Sequence, residues 1–423
     1  MNYSDTAHPT GPSASPGGAA AAVLAFHEAT KVYPGRRTPA VSNLTLEVPA
    51  GEICVLIGPS GSGKTTAMQM VNRLISMTSG DVTIDERSIR DLDETELRRG
   101  IGYVFQQIGL FPHMTTEDNI GTVPRLLGWP KERIRARAKE LLELVGLDPD
   151  DDLRRYPAEF SGGQRQRIGV ARAMAADQPL MLMDEPFGAI DPINRDRLQN
   201  EFLRLQREIR KTVVFVTHDI DEAIKMGDLV AVFQTGGILA QFGPPLEILA
   251  APASEFVARF VGQDRGLKRL SLLRVSDVPL AAPIKARVGE PAADARKRVA
   301  SVPHRYLLIV DDANRPQGWA AEDDLAGDGT VTAEMANPVS PLLNRRTTLK
   351  DALSMMLDAA VQTGVVVDRN QAVQGLLTVE AVAQKMREGD HATEFGDLAL
   401  GGEAGEGDDL DPGAADQAAL EGV

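Results

Sequence analysis

The chain has 423 residues, of which 43% are apolar and 25% charged, and a formal net charge of −15. That length exceeds one ordinary core and points to two or three domains, while the acidic balance argues against a nucleic-acid binder. A single cysteine, Cys54, excludes a disulfide framework within the chain and points to a reducing, cytoplasmic setting; no apolar run approaches the ~18–20 residues that span a bilayer.

Residues 1–22 are rich in Ala, Gly, Pro and Ser and read as a disordered segment. They carry no basic region ahead of their short apolar stretch, so no secretory signal is expected. From 23 to 270, short apolar runs alternate with helical stretches. EICVLIG (52–58), LMLMD (180–184) and TVVFVT (212–217) are almost continuously apolar, the pattern of strands buried on both faces of a largely parallel sheet. Cys54 lies in the first of them and reads as inert core. Residues 129–146 read as an amphipathic helix rich in Lys, Arg and Glu. This alternation predicts an α/β fold.

Composition shifts near 265–300, and a weak repeat follows. YLLIVDDANRPQGWAAEDDL (306–325) resembles VVVDRNQAVQGLLTVEAV (365–382) at a period of 57 residues. In each copy an apolar strand ends in Asp, with a Gly seven residues on: Asp311 and Gly318, then Asp368 and Gly375. Two packed modules, 275–330 and 331–390, are expected. The end, 391–423, is acidic and without Lys or Arg beyond 394. It reads as a disordered tail, either merely solvated or interacting at low salt with a basic surface.

GPSGSGKT, from Gly58 to Thr65, fits G-x-x-x-x-G-K-[ST] between a predicted strand and a predicted helix, MQMVNRLI. The glycines let successive backbone N–H groups turn toward phosphate oxygens, and the helix N-terminus adds partial positive charge. Gly58, Ser60, Gly61, Ser62, Gly63, Lys64, Thr65 and Thr66 form the candidate phosphate site. Lys64 would reach the β- and γ-phosphates of ATP, and the Thr65 hydroxyl would meet Mg²⁺. Downstream, LMLMDEP ends an apolar strand in Asp184 and Glu185. Asp184 is the expected carboxylate for Mg²⁺. Glu185 is expected to point away from it by strand alternation and to polarise an attacking water.

With FSGGQRQR at 160–167, these motifs make the chain resemble an ABC transporter ATPase. The resemblance implies a P-loop parallel sheet with a helical subdomain, and a head-to-tail homodimer holding two ATPs. Ser161, Gly162, Gly163 and Gln164 would contact the γ-phosphate held by the opposite subunit. Tyr33, in KVYPG, resembles the aromatic that stacks on adenine. Gln106 resembles the Gln that senses Mg²⁺ and the attacking water, with Gln107 beside it as the other choice. Asp191 resembles the Asp of the loop coupling the two sites, and His218 the switch His at the γ-phosphate. Phe160 stands where the family usually has Leu.

MVNRLISMTSGDVTID, IGYVFQQIGLFPHMT, VPRLLGW and FVGQDRGLKRLSLLRV are similar to ATPase subunits of glycine betaine, carnitine or choline importers. The other readings are import of another small polar solute, such as an amino acid or a sulfonate, and a soluble ABC protein not coupled to transport. The resemblance implies two transmembrane permease subunits, each with a short helix in a groove beside the Gln106 loop. It also implies an extracytoplasmic solute-binding protein and a peripheral location on the cytoplasmic membrane face. The repeat resembles a tandem CBS pair, an α+β module, but a degenerate one. Nucleotide-binding copies carry Thr or Ser three residues after the Gly and Asp six after it; here the pairs are Ala321 and Asp324, then Thr378 and Ala381. Three readings stay open: a dimerisation or regulatory module without ligand, a sensor taking an adenine nucleotide as regulator, and a packing domain.

Overall fold

The computed structural model describes residues 20–105, 109–188, 190–301, 305–327 and 329–387. Gln106, Gln107, the first 19 residues and the tail 391–423 lie outside the described residues.

Six strands form the central sheet: β3 (Ile53–Ile57), β6 (Ile101–Val104), β7 (Leu180–Asp184), β8 (Thr212–Val216), β9 (Leu229–Gln234) and β10 (Ile238–Gly243). Their order is β10-β9-β3-β8-β7-β6, parallel except for the edge strand β10. Alternate residues enter opposite cores. Val55, Ile57, Met181, Met183, Val213 and Phe215 join one cluster; Cys54, Leu56, Leu182, Val214 and Val216 join the other. Both faces are therefore covered, which is why these runs are apolar throughout. Burial also pushes the Cys54 thiol up to about 12, leaving it no thiolate at neutral pH.

The second cluster is closed by an antiparallel sheet, β2-β1-β4-β5, comprising β1 (Leu24–Lys31), β2 (Val41–Val48), β4 (Ser79–Ile84) and β5 (Arg87–Ser88). The helix Lys64–Val71 packs into the same cluster through Ala67, Met68, Met70 and Val71. Helices close the first cluster. Lys131–Leu144 contributes Ala138, Leu141 and Leu142, which with the buried Ile134 make one face at helical spacing, and Gly162–Ala173 contributes Ile168, Val170 and Ala171.

The helix after the phosphate loop begins four residues earlier than MQMVNRLI suggests and stops at Val71. Arg73 adopts φ 55°, with Arg73 N–H donating to Met70 O and Leu74 N–H to Gln69 O. This left-handed cap ends the helix despite the helical pattern of the residues beyond.

The 57-residue repeat of the sequence is a repeat of structure. β11 (Lys285–Arg287), β12 (Tyr306–Val310) and β13 (Pro316–Ala321) form one three-stranded sheet; β14 (Leu342–Asn344), β15 (Thr363–Val367) and β16 (Val373–Thr378) form another. In each, the first pair is parallel, the second antiparallel, and a helix, Ala292–Ala300 or Leu349–Asp358, follows the first strand. Asp311 and Asp368 close equivalent turns: their carboxylates accept from Arg315 N–H at 2.8 Å and Ala372 N–H at 2.9 Å. The copies exchange chain. Trp319 of β13 bridges to Asn337, ahead of β14, and Leu376 of β16 bridges to Ala281, ahead of β11. Leu308, Val310, Val365, Val367 and Val373 form a shared core.

The helix Arg265–Leu272 joins the two halves of the molecule. Leu272 packs against the core of the first half, whereas Leu270 and Leu273 belong to the core of the second repeat. Arg269 donates to Met386 O at 2.9 Å, fixing the C-terminal end of the helix Val379–Arg387.

The repeat glycines stand where the crossing segments pass. A Cβ on Gly318 would overlap Asn337 O, and one on Gly375 would lie 2.7 Å from Leu280 Cβ. Gly318→Val is expected to force the crossing segment off β13 and cost about 2 kcal/mol or more. Urea denaturation checks this as a lowered midpoint at unchanged slope; an unmoved midpoint would show that the crossing does not hold the pair.

Candidate active site

Three loops leave the same edge of the central sheet. They follow β3, β7 and β8, and because β3 bonds to β8 and β8 to β7, the loops are neighbours. Ligands of parallel sheets bind at this carboxyl edge.

The loop after β3 is held tightly. Gly63 caps the helix at φ 93°, and a Cβ there would overlap Ala40 O, so no other residue fits without moving the chain. Ser62 is buried. Lys64 folds back over its own loop, its Nζ donating to Gly58 O at 2.8 Å and Pro59 O at 2.9 Å. Burial pushes the Lys64 ammonium below its usual range, opposed by Glu185 and Asp184. The loop surrounds a cleft of 520 Å³ lined by Tyr33, Arg36, Ala40, Gly61, Gly63, Lys64, Thr65 and Thr66. Tyr33 thus lies at the cleft, with Lys31 Nζ 5.2 Å from its ring centre.

Thr65 Oγ1 donates to Asp184 Oδ1 at 3.2 Å, joining the first loop to β7. Asp184 is 4% exposed, and burial raises its carboxyl above the ordinary 3.8, with the Thr65 bond opposing. Two oxygen donors of this kind fit a hard divalent cation that takes its remaining ligands from phosphate and water. Among the described residues no cluster of three His, Cys, Asp or Glu side chains is set up to hold a metal alone.

β7 ends at Asp184, so strand alternation does not part the two carboxylates. Glu185 instead turns left-handed at φ 45°, a conformation costing about 1–3 kcal/mol in a non-glycine residue. Its N–H still bonds to Val216 O at 2.9 Å, and its Oε1 lies 3.0 Å from His218 Nδ1. His218 follows β8 and is exposed, with Asp219 next to it capping the helix Ile220–Met226 through Asp221 N–H and Glu222 N–H.

Ser161 and Gln164 form a capping box at the start of Gly162–Ala173. Gln164 N–H donates to Ser161 Oγ at 3.3 Å and Ser161 N–H to Gln164 Oε1 at 2.9 Å. Gly162 and Gly163 are the first two residues of that helix, whose N–H groups have no partner within it. Asp191 caps Pro192–Ile209, and the Asn194 side chain, with its backbone N–H, holds the Asp191 carboxyl below the usual range. The structure thus brings together Gly58 to Thr66, Tyr33, Asp184, Glu185 and His218. Ser161 to Gln164 and Asp191 sit at separate helix starts.

Three buried polar residues escaped the sequence reading. Gln166 Nε2 donates to Glu185 O at 2.9 Å. Arg172 donates to Gly109 O at 2.7 Å. Asn119 binds both the N–H and the carbonyl of Phe111 and also reaches Met114 O, pinning the stretch from Phe111 to Met114. Polar residues at buried helical positions are the signal that could have marked them.

The ABC transporter family model matches residues 41–188. The chain belongs to the ABC transporter family of ATP-binding proteins and is an ATP hydrolase of that class. It is 46% identical to the osmoprotectant import ATP-binding protein OsmV of Salmonella typhimurium, over 84% of this chain and 93% of that protein. It is 43% identical to the glycine betaine/carnitine/choline transport ATP-binding protein OpuCA of Bacillus subtilis, over 84% and 94%. The choline transport ATP-binding protein OpuBA of the same organism is also 43% identical, over 84% and 94%.

Asp184 supplies a test of the site's electrostatics. With its folded value raised, the native chain keeps a proton that the unfolded chain releases near 3.8. Stability therefore falls as pH rises through that window, and the ionised carboxylate costs stability above it. Asp184→Asn is expected to raise Tm at pH 7 without nucleotide. Calorimetry at pH 7 checks this, and a lower Tm would contradict it.

Proposed function

We propose that this chain is the ATPase subunit of an importer for quaternary-ammonium osmoprotectants such as glycine betaine, choline, carnitine or proline betaine. The observation carrying this reading is the likeness to OsmV and OpuCA, which extends over 84% of the chain, well past the ATPase motifs into the paired repeats.

Two copies would close head to tail on two ATPs. The loop from Gly58 to Thr66 cradles the phosphates, with Lys64 released from Gly58 O and Pro59 O to the phosphate oxygens. Tyr33 stacks on adenine. Thr65, Asp184 and Gln106 would hold Mg²⁺, which would supply charge neutralisation at the phosphates. Glu185 takes the attacking water's proton, His218 contacts the γ-phosphate, and Gln106 orients the water. Ser161, Gly162, Gly163 and Gln164 present a helix N-terminus to the partner's γ-phosphate, and Asp191 lies in the loop between the sites.

The chain would sit peripherally on the cytoplasmic face of the membrane, served by two permease subunits and an extracytoplasmic solute-binding protein. No helix among the described residues is long and apolar enough to cross a membrane. A 780 Å³ cavity lined by Leu74, Phe105, Phe111, Val123 and Gln178, and also by Thr65 and Asp184, supports docking of a permease helix at its aromatic rim, where Phe105 is 44% and Phe111 40% exposed.

For residues 275–390 the 57-residue structural repeat and the exchanged segments support a tandem CBS-like regulatory pair. Asp324 Oδ2 accepts from Ala321 N–H and Asn337 Nδ2, and Thr378 Oγ1 accepts from Ala381 N–H. The split pairs, Ala321 with Asp324 and Thr378 with Ala381, favour a dimerisation or regulatory module without a bound nucleotide.

Glu185→Gln is expected to keep ATP affinity, lose about 10²–10³-fold in kcat and trap an ATP-bound dimer visible by gel filtration. Lys64→Ala should lose nucleotide binding itself. Uptake of labelled glycine betaine by vesicles carrying the assembled importer tests the solute class; ATP-driven uptake of a sulfonate or amino acid in its place would overturn it.

A further inference from the structure

Glu185 is held from both sides of its backbone. Its N–H donates to Val216 O on β8 at 2.9 Å. Its carbonyl oxygen accepts from Gly188 N–H at 3.1 Å, within the same turn, and from Gln166 Nε2 at 2.9 Å. Between these ties the residue is left-handed, and its Oε1 reaches to 3.0 Å from His218 Nδ1. A non-glycine residue stays in that conformation only where its surroundings over-determine it. Two of the ties are local to the sheet and the turn. The third comes from a different element, the helix Gly162–Ala173.

Gln166 is 4% exposed on that helix, five residues after Ser161. A buried carboxamide this close to a strained active-site peptide is costly unless its bonds are used. The helix is fixed along its length: the capping box sets its start, and Arg172, near its end, donates to Gly109 O. A displacement of the helix therefore moves the Gln166 carboxamide with it.

We propose that Gln166 is a positioning residue for ATP hydrolysis. It holds the Glu185 peptide in the left-handed turn that aims the carboxylate toward His218, and so ties the base to the orientation of the helix Gly162–Ala173. This rests on Glu185 being the base. In a head-to-tail dimer the same helix faces the partner's nucleotide, so closure over one ATP sets the base that acts on the other.

Gln166→Met keeps side-chain length and removes both hydrogen-bonding groups. In the full chain, kcat is expected to fall at least about 10-fold, with KM for ATP and ATP affinity within about twofold. The variant should also accumulate the ATP-bound dimer, as is expected of Glu185→Gln. A residue that merely supports the fold would instead weaken ATP binding and dimerisation together. Wild-type kcat in Gln166→Met, or loss of the ATP-dependent dimer, overturns the proposal. Glu185→Gln measured in parallel separates the two readings. If it is inactive while Gln166→Met is unimpaired, the positioning role alone falls; if it turns over at the wild-type rate, the base assignment falls and takes the positioning role with it. Should Gln166→Met not fold, Gln166→Glu, which opposes a carboxylate to the Glu185 carbonyl, serves as the second variant. Normal turnover in Gln166→Glu overturns the proposal, and a fall in kcat at unchanged ATP affinity supports it.

Discussion

The adjacency of β3, β8 and β7 is the constraint on which the rest of the molecule depends. Strand pairing alone puts the Gly58 loop, His218 and the Asp184–Glu185 pair side by side, although they are spread over more than 150 residues of chain. Parallel pairing requires crossover connections, and these crossovers carry the helix Lys64–Val71, the helical layer and the helix Gly162–Ala173. Each crossover starts or ends at the edge where the loops meet. The fold's topology and the composition of the site are thus one fact.

Charge is placed at that edge at a cost. Lys64 and Asp184 are both largely buried, and desolvation disfavours the charged form of each. Among the described residues no close ion pair neutralises either; Lys64 spends its protons on loop carbonyls and Asp184 accepts from a hydroxyl. Both therefore gain when a phosphate and a cation take the places of these weak partners. A site built this way is less stable empty than full, and that difference is available to drive closure.

The C-terminal half follows another logic. Its two modules share a core and exchange the segments ahead of their first strands, so neither is complete without the other. The helix Arg265–Leu272 buries opposite faces in two cores, and Asp221, at the start of the helix that follows His218, lies 4.0 Å from Lys268. The second repeat is thereby joined to an element that begins at the active site.

Much of this was legible in the sequence because it is local. The three central strands were readable from unbroken apolar runs, the phosphate loop from glycine spacing, and the repeat from the 57-residue offset of Asp and Gly. Helix ends were less so: MQMVNRLI keeps a helical pattern past the point where Arg73 turns left-handed. The divergence of Asp184 and Glu185 was expected for the wrong reason, since alternation would serve only if the strand continued. What only the tertiary structure decided is where buried polar groups spend their bonds. Gln166, Asn119 and Arg172 look like ordinary helix residues in the sequence, and nothing in their spacing reveals a partner 19, 8 or 63 residues away. A hydrogen bond is set by the meeting of two elements in space. The sequence by itself determined the phosphate loop and the strands that carry it; the folded chain decided how the base beside that loop is held.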